Sequence, residues 1–288
     1  MRYAKFGSTG TQVSVIGMGV MPLSARTDRP DLESAVGVIH HAVDCGVTLF
    51  DTADSYCIDD SEPGHNERVL GEALARLSPS VRQKLFVATK GGHIRPQGQW
   101  IRCGRPDHLR SVCEQSLVNL QVEQIDLYQY HAIDPDVPLV DSLGELKRMQ
   151  QEGKIRHVGV SNFSVVDLDL AQSVVEVVSV QNQYSRIRRQ PEQDGTLIAT
   201  QVRGVAFIPW SPLNGMGGAK RLGDEHEVVR SIAEQRGVSP HQVVLAWFVS
   251  KGPMVFPIPG ASRKQSIEDS ARAADLELSE QELAALAS

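Results

Sequence analysis

The chain has 288 residues, 41% of them hydrophobic and 22% charged, and a formal net charge of −6. That composition excludes a disordered or collagen-like polymer, and the acidic balance argues against phosphate-backbone binding as the main task, which needs a basic face. At ~150 residues per domain the length allows about two domains, although an α/β barrel of ~250 residues forms one.

Tyr3 to Phe6, with Gly7-Ser8-Thr9-Gly10 and Val13, predicts a hairpin ahead of the first main strand. Short β-branched or apolar runs then alternate with segments of helical spacing. The predicted strand and helix pairs are Val13–Gly19 with Leu32–Val43, Val47–Asp51 with Asn66–Leu77, Leu85–Lys90 with Pro106–Val122, and Ile125–His131 with Leu139–Gln151. The second half continues with Ile155–Val160 and Val165–Gln172, then Val177–Gln181 and Thr196–Gln201. Val205–Ile208 is followed by helices Glu225–Arg236 and Pro240–Val249. Val255–Ile258 is the eighth strand, Lys264–Ala274 its helix, and Glu280–Ala287 closes the chain.

Eight such strands, most apolar on both faces and each followed by a helix, predict an α/β fold. The expected architecture is a (β/α)8 TIM barrel, a single domain over residues 1–288, with an N-terminal β-hairpin. A doubly wound sheet is the alternative, but no Gly-x-Gly-x-x-Gly follows any strand, and Gly215-Met216-Gly217-Gly218 lacks the spacing. Gly91–Arg105 reads as a long loop carrying Trp100, and loops of that length are usually functional or mobile. No apolar run reaches the ~20 residues of a membrane helix, and the start of the chain has no apolar core of a signal peptide. Cys45, Cys57, Cys103 and Cys113 form no CxxC pair, which fits a reducing cytoplasm.

In a barrel the active site lies at the C-terminal ends of the strands. The polar residues there are Asp51, with Tyr56 shortly after it, then Lys90, His131, Ser161-Asn162, Gln181, Trp210-Ser211 and Gly260-Ala261-Ser262. A Lys beside a Tyr favours the phenolate and lowers the phenol pKa, and an Asp beside the Lys keeps it charged. A Tyr so tuned hands a proton to a developing alkoxide, while a His hydrogen-bonds the substrate oxygen. The set suits carbonyl–alcohol interconversion with hydride from a bound cofactor. It needs no metal, and neither the histidine spacing nor Asp59-Asp60-Ser61-Glu62 follows a metal-site pattern.

Each residue taken singly has a plainer role. Asp51 reads as a turn or cap residue, Tyr56 as a surface aromatic, His131 as a core histidine, Ser161-Asn162 as a helix cap and Trp210 as core packing. Lys90 alone would also serve as a Schiff-base lysine. Cys57, with nothing basic beside it in sequence, reads as a passive thiol.

Several stretches in order carry a resemblance: Phe50-Asp51-Thr52-Ala53-Asp54-Ser55-Tyr56, Val87-Ala88-Thr89-Lys90, Ile125 to His131, Gly153 to Phe163, Val180-Gln181-Asn182-Gln183-Tyr184 and Ile258-Pro259-Gly260. Over essentially its whole length the chain resembles the aldo-keto reductases. The resemblance implies a cytoplasmic reductase of a small carbonyl substrate that uses NADP, with NAD as the second choice. It implies Tyr56 as general acid, Lys90 and Asp51 as its tuning pair, and His131 as the residue that orients the carbonyl. It gives Ser161, Asn162 and Gln181 to the nicotinamide carboxamide, Trp210 to the ring, and Ser211, Pro212 and Leu213 to the pyrophosphate. Gly260, Ser262, Arg263, Ser266, Asp269 and Ser270 fall in the segment that holds the adenosine end, and Gly19 and Met21 at further cofactor positions.

Two features depart from the pattern. Ser266 stands where much of the family has an Arg on the 2′-phosphate, and Asp269-Ser270 replaces Glu-Asn. Arg263 and Lys264 are the expected substitutes, since a helix N-terminus readily binds an anion. The chain ends at Ser288 just after its last helix and Asn214–Asp224 is short, so the pocket is expected to be open or shaped by Gly91–Arg105. Short bacterial members include pyridoxal reductases, which makes pyridoxal one candidate substrate. A nucleotide-sensing partner, as among potassium-channel beta subunits, is the alternative on this fold; a chain starting at its barrel hairpin fits it less well. A class I aldolase on Lys90 ranks last, because it leaves Tyr56, Gln181 and Trp210 without a role. No nucleic-acid or membrane partner is expected, and the oligomeric state stays open.

Overall fold

A computed structural model describes residues 1–287 apart from the side chains at 216, 220 and 225, so the chain end at Ser288 and the Glu225 side chain at the head of a predicted helix lie outside the described residues. The chain opens with an antiparallel hairpin of β1 (Tyr3–Lys5) and β2 (Gln12–Ser14), in the register Ala4↔Val13. Val13 and Ser14 therefore belong to the hairpin, and the first barrel strand is only β3 (Met18–Gly19). The predicted strand Val13–Gly19 is split because Ser14 exchanges hydrogen bonds with Thr48 and donates to Ile16 O, which bends the chain between the two pieces.

Next comes α1 (Leu32–Asp44), whose N-cap Asp31 accepts from Ser34 N at 2.8 Å. It leads into β4 (Leu49–Asp51), α2 (His65–Ala75), the single turn α3 (Pro79–Arg82) and β5 (Phe86–Gly91). The expected loop at Gly91–Arg105 is a second small hairpin, β6 (His93–Ile94) paired with β7 (Ile101–Arg102). The predicted alternation then holds through α4 (Pro106–Leu120), β8 (Ile125–Tyr130), α5 (Leu139–Gln151), β9 (Ile155–Ser161), α6 (Val165–Val174) and β10 (Val177–Gln183). After α7 (Gln190–Gln193), α8 (Thr196–Val202) and β11 (Ala206–Trp210) come α9 (Gly215–Gly218), α10 (Leu222–Glu225) and α11 (Glu227–Arg236). The helix predicted from Glu225 breaks at His226, whose backbone is extended. The remaining helices are α12 (Pro240–Val249), α13 (Lys264–Arg272) and α14 (Glu280–Ala287).

Seven strands run parallel in the order β11-β10-β9-β8-β5-β4-β3. The eighth position is held by residues 254–260, which do not form the regular strand expected at Val255–Ile258. Pro257 and Pro259 have no N–H to give a ladder. Their carbonyls instead accept from Gly17 N at 3.0 Å and Gly19 N at 3.1 Å. On the other side Phe207 N donates to Met254 O at 2.7 Å, and Phe256 N donates to Phe207 O at 2.9 Å. These bonds join the two sheet edges and close the (β/α)8 barrel.

Side chains alternate across each strand. Outward residues such as Tyr128, Val158, Val160, Val180 and Phe207 pack under the helices. Leu49, Phe86, Leu127, Val178, Ile208 and Phe256 form a second, inner cluster, joined by Phe6 from the end of the hairpin. The Phe6 ring lies 5.0 Å from Phe86 and 5.1 Å from Phe256, and its full burial contributes about 2–3 kcal/mol. Gly7 permits this approach: its φ is +54°, and a Cβ there would lie 2.5 Å from Val178 O. One end of the barrel is thus plugged with apolar rings, and the polar inward residues collect at the other. Among the described residues no helix is long and apolar enough to cross a membrane.

Candidate active site

Beyond the apolar plug, the inward face of each strand turns polar at intervals of two residues. Leu49 is followed by Asp51, Ala88 by Lys90, Leu127 by Gln129 and His131, and Ile208 by Trp210. A register irregularity between Val177 and Ser179 brings Gln181 onto the same side. Because the strands are parallel, all these side chains arrive at one mouth.

Lys90 is fully buried, and its Nζ donates to Asp51 Oδ1 at 2.5 Å, Thr52 O at 2.9 Å and Tyr56 Oη at 3.0 Å. An ammonium has three N–H bonds, so its donors are all used. Asp51 Oδ2 accepts from Gln129 Nε2 at 3.1 Å and Gln181 Nε2 at 2.8 Å. Burial opposes the charge on Lys90, but Asp51 and Tyr56 outweigh it and its pKa is raised.

The balance at Tyr56 runs against the sequence expectation. Burial pushes the phenol up by more than Lys90 pulls it down, so Tyr56 is a neutral phenol at neutral pH. His131 is held well below its ordinary range by burial, then by Lys90 and His93, and is a neutral imidazole. Its Nδ1 lies 3.5 Å from Ser55 Oγ, and its ring stands edge-on to Tyr56 at 5.7 Å. Asp51, Tyr56, Lys90 and His131 therefore converge. Cys57, beside them in sequence, is buried, and burial pushes its thiol up to about 11.

Sequence reasoning missed Gln129, His93 and Arg95. Gln129 had a signal: a polar residue two before His131 in an apolar strand shares its face. His93 and Arg95 had none, because they reach the site only through the β6–β7 hairpin. The His93 ring lies 4.4 Å from His131, and Trp100 lies 5.5 Å from His93 and 6.3 Å from Tyr56. His93 is pulled down to about 4 by burial, then by Arg102, Arg95 and Lys90.

On the opposite side, Asn162 adopts a left-handed backbone with φ +62°. Its Nδ2 donates to His131 O at 3.0 Å and Ser161 Oγ at 3.1 Å, while its Oδ1 accepts from Trp210 Nε1 at 3.1 Å. Ser161, Asn162, Gln181 and Trp210 are thus assembled beside the Lys90 cluster. Ser211 and Asn214, also left-handed, bracket Pro212 and Leu213, and Asn214 Oδ1 is buried without a partner among the described residues. Gly19 and Gly260 are bridged neighbours on the closing seam, and Met21 opens the 3-10 turn beside them. Ser262 and Arg263 are exposed, Ser266 is half-buried and Ser270 is buried. Asp269 stands apart from these: its carboxylate accepts from Ser239 Oγ and Gln242 Nε2, both at 2.6 Å, and ties α13 to α12.

The aldo/keto reductase family model matches residues 15–288. An uncharacterized oxidoreductase of Schizosaccharomyces pombe is 35% identical over 278 residues, covering 95% of this chain and 86% of its own. A probable aldo-keto reductase 1 of Glycine max is 31% identical, covering 97% and 86%. A solved thermostable aldo-keto reductase in complex with the inhibitor epalrestat matches with a TM-score of 0.83 at 30% identity, over 100% of this chain and 99% of that one. An aldo-keto reductase from Klebsiella pneumoniae in complex with NADPH matches with a TM-score of 0.83 at 25% identity, over 99% and 94%. Similarity of this depth, running through nearly the whole barrel, places the chain in the aldo/keto reductase family as an NAD(P)H-dependent oxidoreductase.

Proposed function

We propose that the protein reduces a small aldehyde or ketone to its alcohol with NADPH, with Tyr56 as the proton donor. The observation that carries this reading is the buried Lys90 ammonium, held between Asp51 Oδ1 at 2.5 Å and Tyr56 Oη at 3.0 Å. The neutral phenol gives its proton to the carbonyl oxygen. The phenolate left behind faces Lys90, which stabilises it until a proton returns from solvent. His131, with Nδ1 turned to Ser55, offers Nε2 to the same oxygen and fixes its direction.

The residues present fit a dinucleotide. The nine-residue helix α13 begins at Lys264, and its N-cap Arg263 gives it no side-chain cap among the described residues, so its first N–H groups are open to an anion. The buried amide oxygen of Asn214 has no partner among the described residues and suits a ligand hydrogen. Ser161, Asn162 and Gln181 would hold the carboxamide, Trp210 the nicotinamide ring, and Ser211 to Leu213 the pyrophosphate. Gly260, Ser262, Arg263, Ser266 and Ser270 would hold the adenosine end, with Gly19 and Met21 beside it. When bound, NADPH supplies the hydride that reaches the carbonyl carbon. NADPH is preferred because Arg263 stands exposed at the helix start. Lys264 instead runs over α1, its Nζ 3.6 Å from where a Cβ on Gly37 would sit.

A Schiff-base role for Lys90 is disfavoured. That chemistry needs a neutral, accessible amine, whereas Lys90 is fully buried and held charged by Asp51. The four free cysteines favour a reducing compartment such as the cytoplasm.

The test is oxidation of NADPH, with NADH in parallel, against an aldehyde panel that includes pyridoxal and an activated aromatic aldehyde. Wild type is expected to turn over with NADPH preferred. Tyr56→Phe is expected to lose at least about 10²-fold in kcat, the lower end of what a positioned acid contributes, while still binding NADPH. A variant that kept most of its turnover would remove Tyr56 from the proton step.

A further inference from the structure

Tyr56 does not sit on a strand or a helix. Residues 52–64 form turns and bends between β4 and α2, and within them Tyr56 N donates to Ala53 O at 3.3 Å and Cys57 N to Ser55 O at 2.9 Å. Such a segment is not rigid by itself, yet proton transfer requires the phenol to be placed closely. Something outside it has to hold it.

Arg95, which follows β6, is 9% exposed. Its Nη1 donates to Ser55 O at 3.2 Å and Cys57 O at 2.8 Å, and its Nη2 to Ile58 O at 2.9 Å. Nε and Nη2 also donate to Gly98 O, at 3.2 and 2.9 Å. Every acceptor is a backbone carbonyl, and those of Ser55, Cys57 and Ile58 lie on either side of Tyr56 in the chain. The same guanidinium stacks on Trp100, 4.0 Å from the ring centroid. The two segments are pressed together elsewhere as well. Gln97 N donates to Asp60 Oδ1 at 3.2 Å, and a Cβ on Gly98, whose φ is +79°, would lie 3.2 Å from Ile58 O.

A guanidinium suits this position. Its planar fork reaches acceptors in several fixed directions while its face stays free for an aromatic ring, and an ammonium cannot do both. We propose that Arg95 is a positioning residue: it clamps the turn on both sides of Tyr56, sets the phenol against Lys90, and links that placement to Trp100 on the hairpin. The inference rests on the reading of Tyr56 as proton donor. The charged and titratable groups that face the phenol are Lys90, Asp51, Asp54 and His131, so release of the turn changes mainly its distance to Lys90.

The experiment compares Arg95→Met, Arg95→Lys and Tyr56→Phe with wild type, using NADPH and one aromatic aldehyde. It reads kcat, KM, NADPH affinity by fluorescence titration, and the pH profile of kcat. Arg95→Met is expected to lose between about 10- and 100-fold in kcat, the scale of a misplaced catalytic group, with NADPH affinity within about twofold of wild type. Reduction needs the protonated phenol, and a phenol farther from Lys90 keeps its proton to higher pH. The alkaline limb of the profile therefore moves upward. Arg95→Lys keeps a donor without the fork and is expected to recover part of the loss.

Wild-type kcat and an unmoved pH limb in both Arg95 variants, with Tyr56→Phe inactive, would overturn the role of Arg95 and leave that of Tyr56 standing. Parallel loss of kcat and NADPH affinity with an unmoved limb in both variants would also overturn it, as plain loss of structure. An active Tyr56→Phe would overturn both readings together.

Discussion

Asp51→Asn removes one charge from the centre of the site and barely changes its shape. In the native protein the Asp51 carboxylate accepts from Lys90 through one oxygen and from Gln129 and Gln181 through the other. An asparagine keeps one acceptor for Lys90 and turns an NH2 group toward two side-chain amides that are themselves donating. Lys90, fully buried, loses its only ion-pair partner among the described residues. Removing one partner of a buried pair costs about 3–5 kcal/mol. For 288 residues the unfolding entropy is roughly 0.6 kcal/mol/K, so Tm is expected to fall by about 5–8 °C.

Activity follows from the same change. Without Asp51, burial dominates at Lys90 and disfavours its charge, and the Tyr56 phenolate loses its stabiliser. A fall in kcat of about 10²-fold is expected, within the 10²–10⁴ range of positioned acid catalysis. Differential scanning calorimetry gives the first quantity and steady-state NADPH oxidation the second. If Asp51→Asn kept Tm within about 2 °C and kcat within about threefold, the ion pair would not be what charges Lys90.

The His93 imidazole is pulled down to about 4 in the folded protein, by burial and then by Arg102, Arg95 and Lys90. The folded state therefore binds fewer protons than the unfolded one, and stability falls as pH drops through about 6.5 toward the folded value. In urea unfolding, His93→Asn is expected to lose on the order of 2 kcal/mol less than wild type between about pH 7 and 4.5, and equal losses would refute the assignment. At the adenosine end proposed for the cofactor, Arg263→Gln is expected to raise KM for NADPH about tenfold or more, consistent with the loss of a hydrogen bond to a charged group. Neither KM for NADH in that variant nor KM for NADPH in Lys264→Gln should change comparably. Equal effects on both cofactors would mean that Arg263 does not meet the 2′-phosphate.

The barrel was legible in the sequence because alternation of buried strands with amphipathic helices is a local pattern, repeated until the sheet closes on itself. Asp51, Lys90 and His131 were legible for a related reason: each is the ionisable residue that ends, or directly follows, an apolar strand. Where the local pattern was misleading, tertiary bonding decided. Val13–Gly19 reads as one strand, yet Ser14 bonds to Thr48 and divides it. Val255–Ile258 is apolar, yet its prolines leave only carbonyls to close the seam. The segment 91–105 lacks a strand pattern, yet its ends pair as His93↔Arg102.

The sequence alone determined which groups would meet at the mouth: a carboxylate, an ammonium, a phenol and an imidazole. Only the tertiary structure decided their protonation, the upward shifts of Lys90 against burial and of Tyr56 with it, and the clamp that Arg95 places on the Tyr56 turn. The physical reason is that desolvation and the direction of a hydrogen bond depend on every layer packed around a group. Chain neighbours fix neither.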